Sequence, residues 1–113
     1  ICTNKPTRLA AGLLDALGLG RRFGAVVGGD AAPERKPHPA PLLMALERLG
    51  VPVGAAVFVG DSETDVLTAR AAGVPVAVVR HGYTAAPAEA LGADAVLDGL
   101  ASAPAALERL LPR

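Results

Sequence analysis

Leucines recur at helical spacing near the start of the chain. Leu9, Leu13 and Leu17 lie four residues apart, and Gly18 follows them. This period predicts an amphipathic helix, which the glycine ends. The segment Thr-Asn-Lys-Pro at residues 3–6 predicts the start of that helix, because it offers a capping side chain and a proline for the first turn.

Short apolar runs and further helical patterns alternate along the rest of the chain. The predicted strands cover residues 23–27, 55–59, 74–79 and 95–97, and the later predicted helices cover 42–49, 62–72, 86–91 and 100–111. Strands that are apolar throughout are typical of parallel sheets covered on both faces. The alternation with short connections predicts right-handed βαβ units. The expected fold class is therefore α/β, with a parallel sheet between two helical layers.

Composition narrows the possible classes of protein. The chain has 113 residues, which predicts a single domain, and 51% of them are hydrophobic. Lys plus Arg equals Asp plus Glu at 11 each, so no basic surface for nucleic acid or an anionic membrane is predicted. No apolar run is long enough to span a bilayer and no secretory signal is visible. The single cysteine fits a reducing compartment, and we expect a cytoplasmic protein.

Two aspartates follow the predicted strand in the stretch VFVGDSETD, residues 57–65. Asp61 lies at the strand tip and Asp65 about one helical turn further on. Two carboxylates this close repel each other unless a cation lies between them, and Mg²⁺ is the cation that oxygen ligands favour. The alternative for Asp65 is a capping box with Ser62, in which it only closes the helix start.

Three further residues are candidates for binding an anion. Ligands of open parallel sheets bind beyond the carboxyl ends of the strands, where Thr3 and Asn4 offer a hydroxyl, an amide and backbone N–H groups. Their alternative role is ordinary N-capping. Lys36 stands before the prolines of RKPHPAP, which fix its backbone and suit it to a phosphoryl charge. Its alternative is a solvated loop lysine.

The order of these candidates resembles that of the haloacid dehalogenase-like (HAD) superfamily of phosphohydrolases. CTNK resembles the second motif of that family, RKPHPAPLL the third and VFVGDSETDVLTARAAG the fourth. Within the superfamily, GGD…KPHP and RHGY are most similar to phosphoglycolate phosphatases. The resemblance covers nearly all of the chain and implies a Rossmann-like α/β/α fold.

The resemblance also implies roles for single residues. Asp61 would be a Mg²⁺ ligand, and Asp65 would support the metal directly or through water. Thr3 and Lys36 would be the catalytic groups that bind the phosphoryl oxygens and neutralise their charge, and Asn4 would help to bind phosphate. The implied reaction is hydrolysis of phosphoglycolate or a similar small phosphorylated metabolite through an aspartyl-phosphate.

One family motif is absent from these 113 residues. Members carry the nucleophile in an Asp-x-Asp-Gly-Thr type motif on an N-terminal strand, and no such motif occurs here. We therefore expect residues 1–113 to be the C-terminal part of a catalytic core domain, without the nucleophile strand and the cap domain, and inactive alone. The missing N-terminal segment or another chain would complete the sheet. The alternative is a non-enzymatic α/β ligand-binding or receiver-like module.

Overall fold

The computed structural model describes residues 1–82 and 84–111 of the chain. The helices and strands are α1 (Thr7–Ala16), α2 (Ala40–Leu49), β1 (Phe58–Gly60), α3 (Glu63–Ala72), β2 (Val76–Val79), β3 (Ala95–Leu97) and α4 (Ala103–Leu110). Short 3₁₀ turns cover Gly20–Arg22, Val53–Ala55, Ala88–Ala90 and Leu100–Ser102. Within the described part of the chain, no helix has the length and apolar character needed to cross a bilayer.

The three strands form one parallel sheet in the order β1-β2-β3. Val59 of β1 is level with Ala77 of β2, and Ala77 is level with Ala95 of β3. Because the strands are parallel, all three carboxyl ends lie at the same edge of the sheet. The predicted α/β class is confirmed.

Helices cover both faces of this sheet. Val76 and Val78 of β2 are fully buried in a core that contains residues of α2 and α3. Ala77 points to the opposite face, where it belongs to a second core with Leu97 and Ala106 of α4. The alternation follows from the two-residue period of a strand, and it produces the predicted three layers.

Glycines end the helices as the sequence predicts. Gly50 follows α2 with φ 67° and Gly73 follows α3 with φ 75°, both in the left-handed region. Glycine enters this region without the steric penalty that a Cβ brings.

Two local predictions near the N-terminus were wrong. Residues 23–27 do not form a strand, since only Val27 makes an isolated parallel bridge with Cys2. Helix α1 begins at Thr7 rather than at residues 3–6, and its first N–H is capped from a distant loop, where Asp30 Oδ1 accepts the N–H of Thr7 at 2.9 Å. Asp30 also accepts the Thr7 hydroxyl at 2.7 Å.

An ion pair stabilises the sheet at the end where the strands begin. Asp94 lies just before β3 and accepts the backbone N–H of Val76 at 2.8 Å. Arg70 of α3 donates to both oxygens of Asp94, at 2.9 and 3.1 Å. The hydrogen bonds from Arg70, acting against partial burial, lower the pKa of Asp94 below its usual value. This contact joins α3, β2 and β3 at the amino ends of the strands.

Candidate active site

The predicted site residues converge on the carboxyl end of β1. Asp61 follows that strand directly, and Asp65 lies in the first turn of α3. The loop before α2 brings Lys36 to Asp65, and the segment after Cys2 brings Asn4 to Lys36. Four of the five predicted site residues are thus joined by direct contacts.

Asp65 is a buried carboxylate with every oxygen engaged. It is 5% exposed. Its Oδ1 accepts from the Lys36 ammonium at 2.7 Å, and its Oδ2 accepts from the Asp61 N–H at 2.9 Å and the Ser62 hydroxyl at 3.2 Å. Burial alone raises the pKa of Asp65, but the Lys36 and backbone hydrogen bonds outweigh it and hold that pKa below its usual value.

The arrangement differs from the capping box that the sequence allowed. In a capping box the third helical residue accepts the N–H of the capping residue, which here is Ser62. Asp65 instead accepts the N–H of Asp61, one residue earlier. Asp65 therefore fixes the backbone of the other candidate metal ligand as well as the helix start.

Gly60 makes this reach possible. A Cβ at position 60 would lie 2.3 Å from the Asp65 Cβ and 2.4 Å from its Oδ2. The Asp65 side chain thus lies directly against the Cα of Gly60, in space that any other residue would fill. The glycine before Asp61 is required by packing, a reason that its position at a strand end alone does not reveal.

Lys36 is enclosed and is not a solvated loop lysine. Its side chain is 12% exposed and pairs with Asp65. The ammonium also lies 5.8 Å from the centre of the Phe58 ring, within the range of a cation–π contact. An ammonium has three N–H donors, so the bond to Asp65 leaves donors for a further anion. The contact of Phe58 with Lys36 could not be predicted from the sequence, because Phe58 lies on a strand whose apolar residues predict only a place in the core.

Asn4 holds the backbone of Lys36 at two points. Its Nδ2 donates to the Lys36 carbonyl at 3.2 Å, and its Oδ1 accepts the Lys36 N–H at 3.1 Å. Neither Thr3 nor Asn4 caps α1. Thr3 is half-buried, and its hydroxyl oxygen accepts the Lys5 N–H at 3.2 Å. The Thr3 hydroxyl hydrogen is therefore still able to donate.

The Asp61 carboxylate has no hydrogen bond or ion pair with any residue that the structure describes. Its backbone is tightly enclosed, because a Cβ on Gly82 would lie 2.3 Å from the Asp61 Cβ and 2.5 Å from its carbonyl oxygen. The loop after β2 thus packs against the Cβ and the backbone of Asp61, and the Asp61 carboxylate oxygens have no partner among residues 1–82 and 84–111.

The carboxylates of Asp61 and Asp65 suit Mg²⁺ better than a metal that needs several protein ligands. No group of three or more His, Cys, Asp or Glu that could hold a metal occurs among residues 1–82 and 84–111. Mg²⁺ keeps several waters and is commonly bound by one or two carboxylates plus substrate phosphate. Asp61 supplies one open carboxylate, while both oxygens of Asp65 already have partners.

The remaining polar residues near the site serve the fold. Burial raises the pKa of the Cys2 thiol, against the opposing charge of Lys36.

Asp30 caps α1, and Gly28 and Gly29 allow its loop to approach the N-terminal segment. A Cβ at Gly28 would lie 2.2 Å from Thr7 N, and a Cβ at Gly29 would lie 2.2 Å from Asn4 O.

A family comparison fits this geometry. Residues 1–73 match the model of the haloacid dehalogenase-like hydrolases. The chain belongs to this family. The match includes all five predicted site residues, and the recognition made from their order is confirmed.

Named relatives and solved structures agree with this membership. A phosphoglycolate phosphatase of Rhodospirillum rubrum is 54% identical over 102 residues, which are 90% of this chain and 42% of that protein. The crystal structure of a predicted phosphoglycolate phosphatase from Haemophilus somnus superposes with a TM-score of 0.82 at 36% identity, over 88% of this chain and 45% of the other. CbbY from Rhodobacter sphaeroides, solved in complex with phosphate, gives 0.81 at 32% identity, over 95% and 49%. This HAD-family chain therefore spans less than half the length of each of these proteins.

Proposed function

We propose that this chain is the phosphate-binding and metal-binding part of a phosphatase that hydrolyses phosphoglycolate or a similar small phosphate monoester. The observation that carries the proposal is the enclosed Lys36 ammonium, held 2.7 Å from Asp65, whose other oxygen accepts the backbone N–H of Asp61. The name of the Rhodospirillum rubrum relative supports the choice of substrate, and the phosphate bound to CbbY supports the choice of ligand.

Each residue has a distinct task in this proposal. The Lys36 ammonium donates to the phosphoryl oxygens and offsets their charge, and the Thr3 hydroxyl donates to another oxygen. Asn4 belongs to the same phosphate site. Asp61 would hold Mg²⁺, with Asp65 fixing the Asp61 backbone, and the cation would neutralise phosphoryl charge. Asp65 also holds the Lys36 ammonium in place.

The covalent step requires a carboxylate that the motifs of this chain do not supply. In the proposed mechanism an aspartate oxygen attacks phosphorus, the P–O bond to the alcohol oxygen breaks, and that oxygen takes a proton from water and leaves as the alcohol. Water then hydrolyses the aspartyl-phosphate and releases inorganic phosphate. We assign the attack to an aspartate outside these 113 residues.

The test uses the full-length natural protein that contains this chain. We expect Mg²⁺-dependent hydrolysis of 2-phosphoglycolate with a higher kcat/KM than for other small monoesters. Asp61→Asn should lower kcat/KM at least about 100-fold, because it removes the open carboxylate charge. The matched control is Glu63→Gln, an exposed acid two residues further on, which should keep activity.

Two results would contradict the proposal. One is a wild-type protein that hydrolyses no small phosphate monoester with Mg²⁺. The other is an Asp61→Asn protein as active as the Glu63→Gln control. The 113-residue chain alone should show no turnover, and activity of that chain that is lost in Asp61→Asn would show that its nucleophile lies within it.

A further inference from the structure

The side chain of Asn4 holds both ends of one residue's backbone. Its carboxamide accepts the Lys36 N–H at 3.1 Å and donates to the Lys36 carbonyl at 3.2 Å, across 32 positions of sequence. A pair of bonds to the N–H and C=O of the same residue limits both its position and its rotation. One bond alone would leave the residue free to turn about it.

This grip fixes the starting point of the lysine side chain. The far end of that side chain is held by Asp65 at 2.7 Å and lies over the Phe58 ring at 5.8 Å. Ordering a free lysine side chain costs up to about 2 kcal/mol in lost rotamer entropy. A lysine held at both ends has met that cost before an anion arrives, so its ammonium needs little reorganisation on binding.

We infer that Asn4 is a positioning residue, which acts on the phosphate site through Lys36 and not through its own contact with phosphate. The inference rests on the proposed function for its kinetic consequence. Its structural basis is that Oδ1 and one N–H of the Asn4 amide are engaged by the peptide groups of Lys36. The same bonds also tie the segment after Cys2 to the loop before α2.

A double-mutant cycle in the full-length protein tests this assignment. Asn4→Ala alone should lower kcat on the phosphate monoester about 10-fold to 100-fold, because small displacements of a positioned group are costly. In a Lys36→Ala background, where the ammonium is absent, adding Asn4→Ala should change kcat less than about two-fold. Asn4→Asp, which keeps the acceptor for the Lys36 N–H, should retain more activity than Asn4→Ala. Arg8→Gln, at an exposed position nearby, is the control.

Losses that multiply in the double variant would overturn the inference, because they would mean that Asn4 and Lys36 contact phosphate independently. A second measurement needs no activity. In a crystal structure of the full-length Asn4→Ala protein, the Lys36 ammonium should lie farther from Asp65 than in the wild type. An unchanged 2.7 Å contact would overturn the inference even in an active enzyme. An inactive wild type would instead refute the proposed function and leave the structural comparison decisive for Asn4.

Discussion

At the scale of single residues, the candidate site contains a largely buried ion pair. The Lys36 and Asp65 side chains are 12% and 7% exposed and lie 2.7 Å apart. A buried ion pair adds little net stability by itself, because desolvation offsets the attraction. Removing one partner is different, since the remaining charge is left in a site with no compensation. The pair therefore ties the stability of the fold to the integrity of the site.

We expect Asp65→Ala to lower the free energy of unfolding by about 3 kcal/mol, because it strands the Lys36 ammonium. Urea denaturation would measure the loss. The double variant Lys36→Met with Asp65→Ala removes both charges and should be less destabilised than Asp65→Ala alone. A single variant that loses under about 1 kcal/mol would refute the idea that the two charges depend on each other.

Stability should also depend on pH through Asp65. The pKa of Asp65 is lower in the folded chain than its ordinary value of 3.8. Its contribution is thus complete above the unfolded pKa and is lost as the pH falls through the folded one. Asp30 and Asp94 are shifted in the same direction. The unfolding free energy should fall below about pH 4, and the fall should be shallower in Lys36→Met with Asp65→Asn. Parallel pH profiles for the two proteins would contradict this.

At the scale of elements, glycines set how closely the strands, helices and loops approach the site. Gly60 lets α3 place Asp65 against β1, and Gly82 lets the loop after β2 rest on Asp61. The site is thus formed where three elements meet with no room for a side chain between them. The helix α3 and the strand β1 cannot separate without moving both carboxylates.

A glycine substitution separates this packing from general backbone effects. We expect Gly60→Ala to cost about 1–3 kcal/mol through overpacking, since its Cβ would lie 2.3 Å from that of Asp65. Gly54→Ala is the matched control, because no atom lies within 4 Å of a Cβ there. Equal unfolding free energies for the two variants in urea would show that the contact at Gly60 is unimportant.

The sequence predicts elements with strong periodicity and fails where a distant partner decides. The ends of α2 and α3 follow from Gly50 and Gly73, whose conformations are local. The run at 23–27 is apolar, yet only Val27 pairs, because its neighbour Cys2 offers a single bridge. The cap on α1 comes from Asp30, 23 residues away from Thr7, and no local motif encodes it.

The candidate site likewise contains some contacts that the sequence predicts and others that only distant partners determine. The order Lys36, Asp61, Asp65 was sufficient to predict that these residues meet at a strand end, whereas Thr3 is hydrogen-bonded to Lys5 and Val27. The contacts of Asn4 with Lys36, and of Phe58 with the ammonium, depend on three-dimensional packing and could not be read from spacing.

At the scale of the whole molecule, one edge of the sheet is open. An apolar groove of about 400 Å³ lies between the segment at the N-terminus and β1. It is lined by Ile1, Cys2, Phe23, Leu42, Ala45, Leu46, Leu49 and residues 57–59. Within the described residues, β1 pairs only with β2. An unpaired strand edge beside an apolar surface favours pairing with another strand.

We therefore expect the 113-residue chain to self-associate with increasing concentration, as sedimentation velocity would show. Val57→Lys should reduce the association by placing a charge in the groove. Leu67→Lys, on the exposed face of α3, controls for the added charge and should leave association unchanged. A wild-type chain that stays monomeric at high concentration and unfolds cooperatively with high stability would contradict the open-edge interpretation.

The Arg70 and Asp94 contact has a practical consequence, because it lies at the end of the sheet away from the chemistry. It joins α3, β2 and β3 where the strands begin, while the candidate site residues Asp61 and Lys36 lie where the strands end. A contact that stabilises the fold thus lies at the amino ends of the strands, and the candidate site lies at their carboxyl ends. Substitutions that strengthen the contacts at the amino ends of the strands can therefore be made independently of changes to the residues at the carboxyl ends.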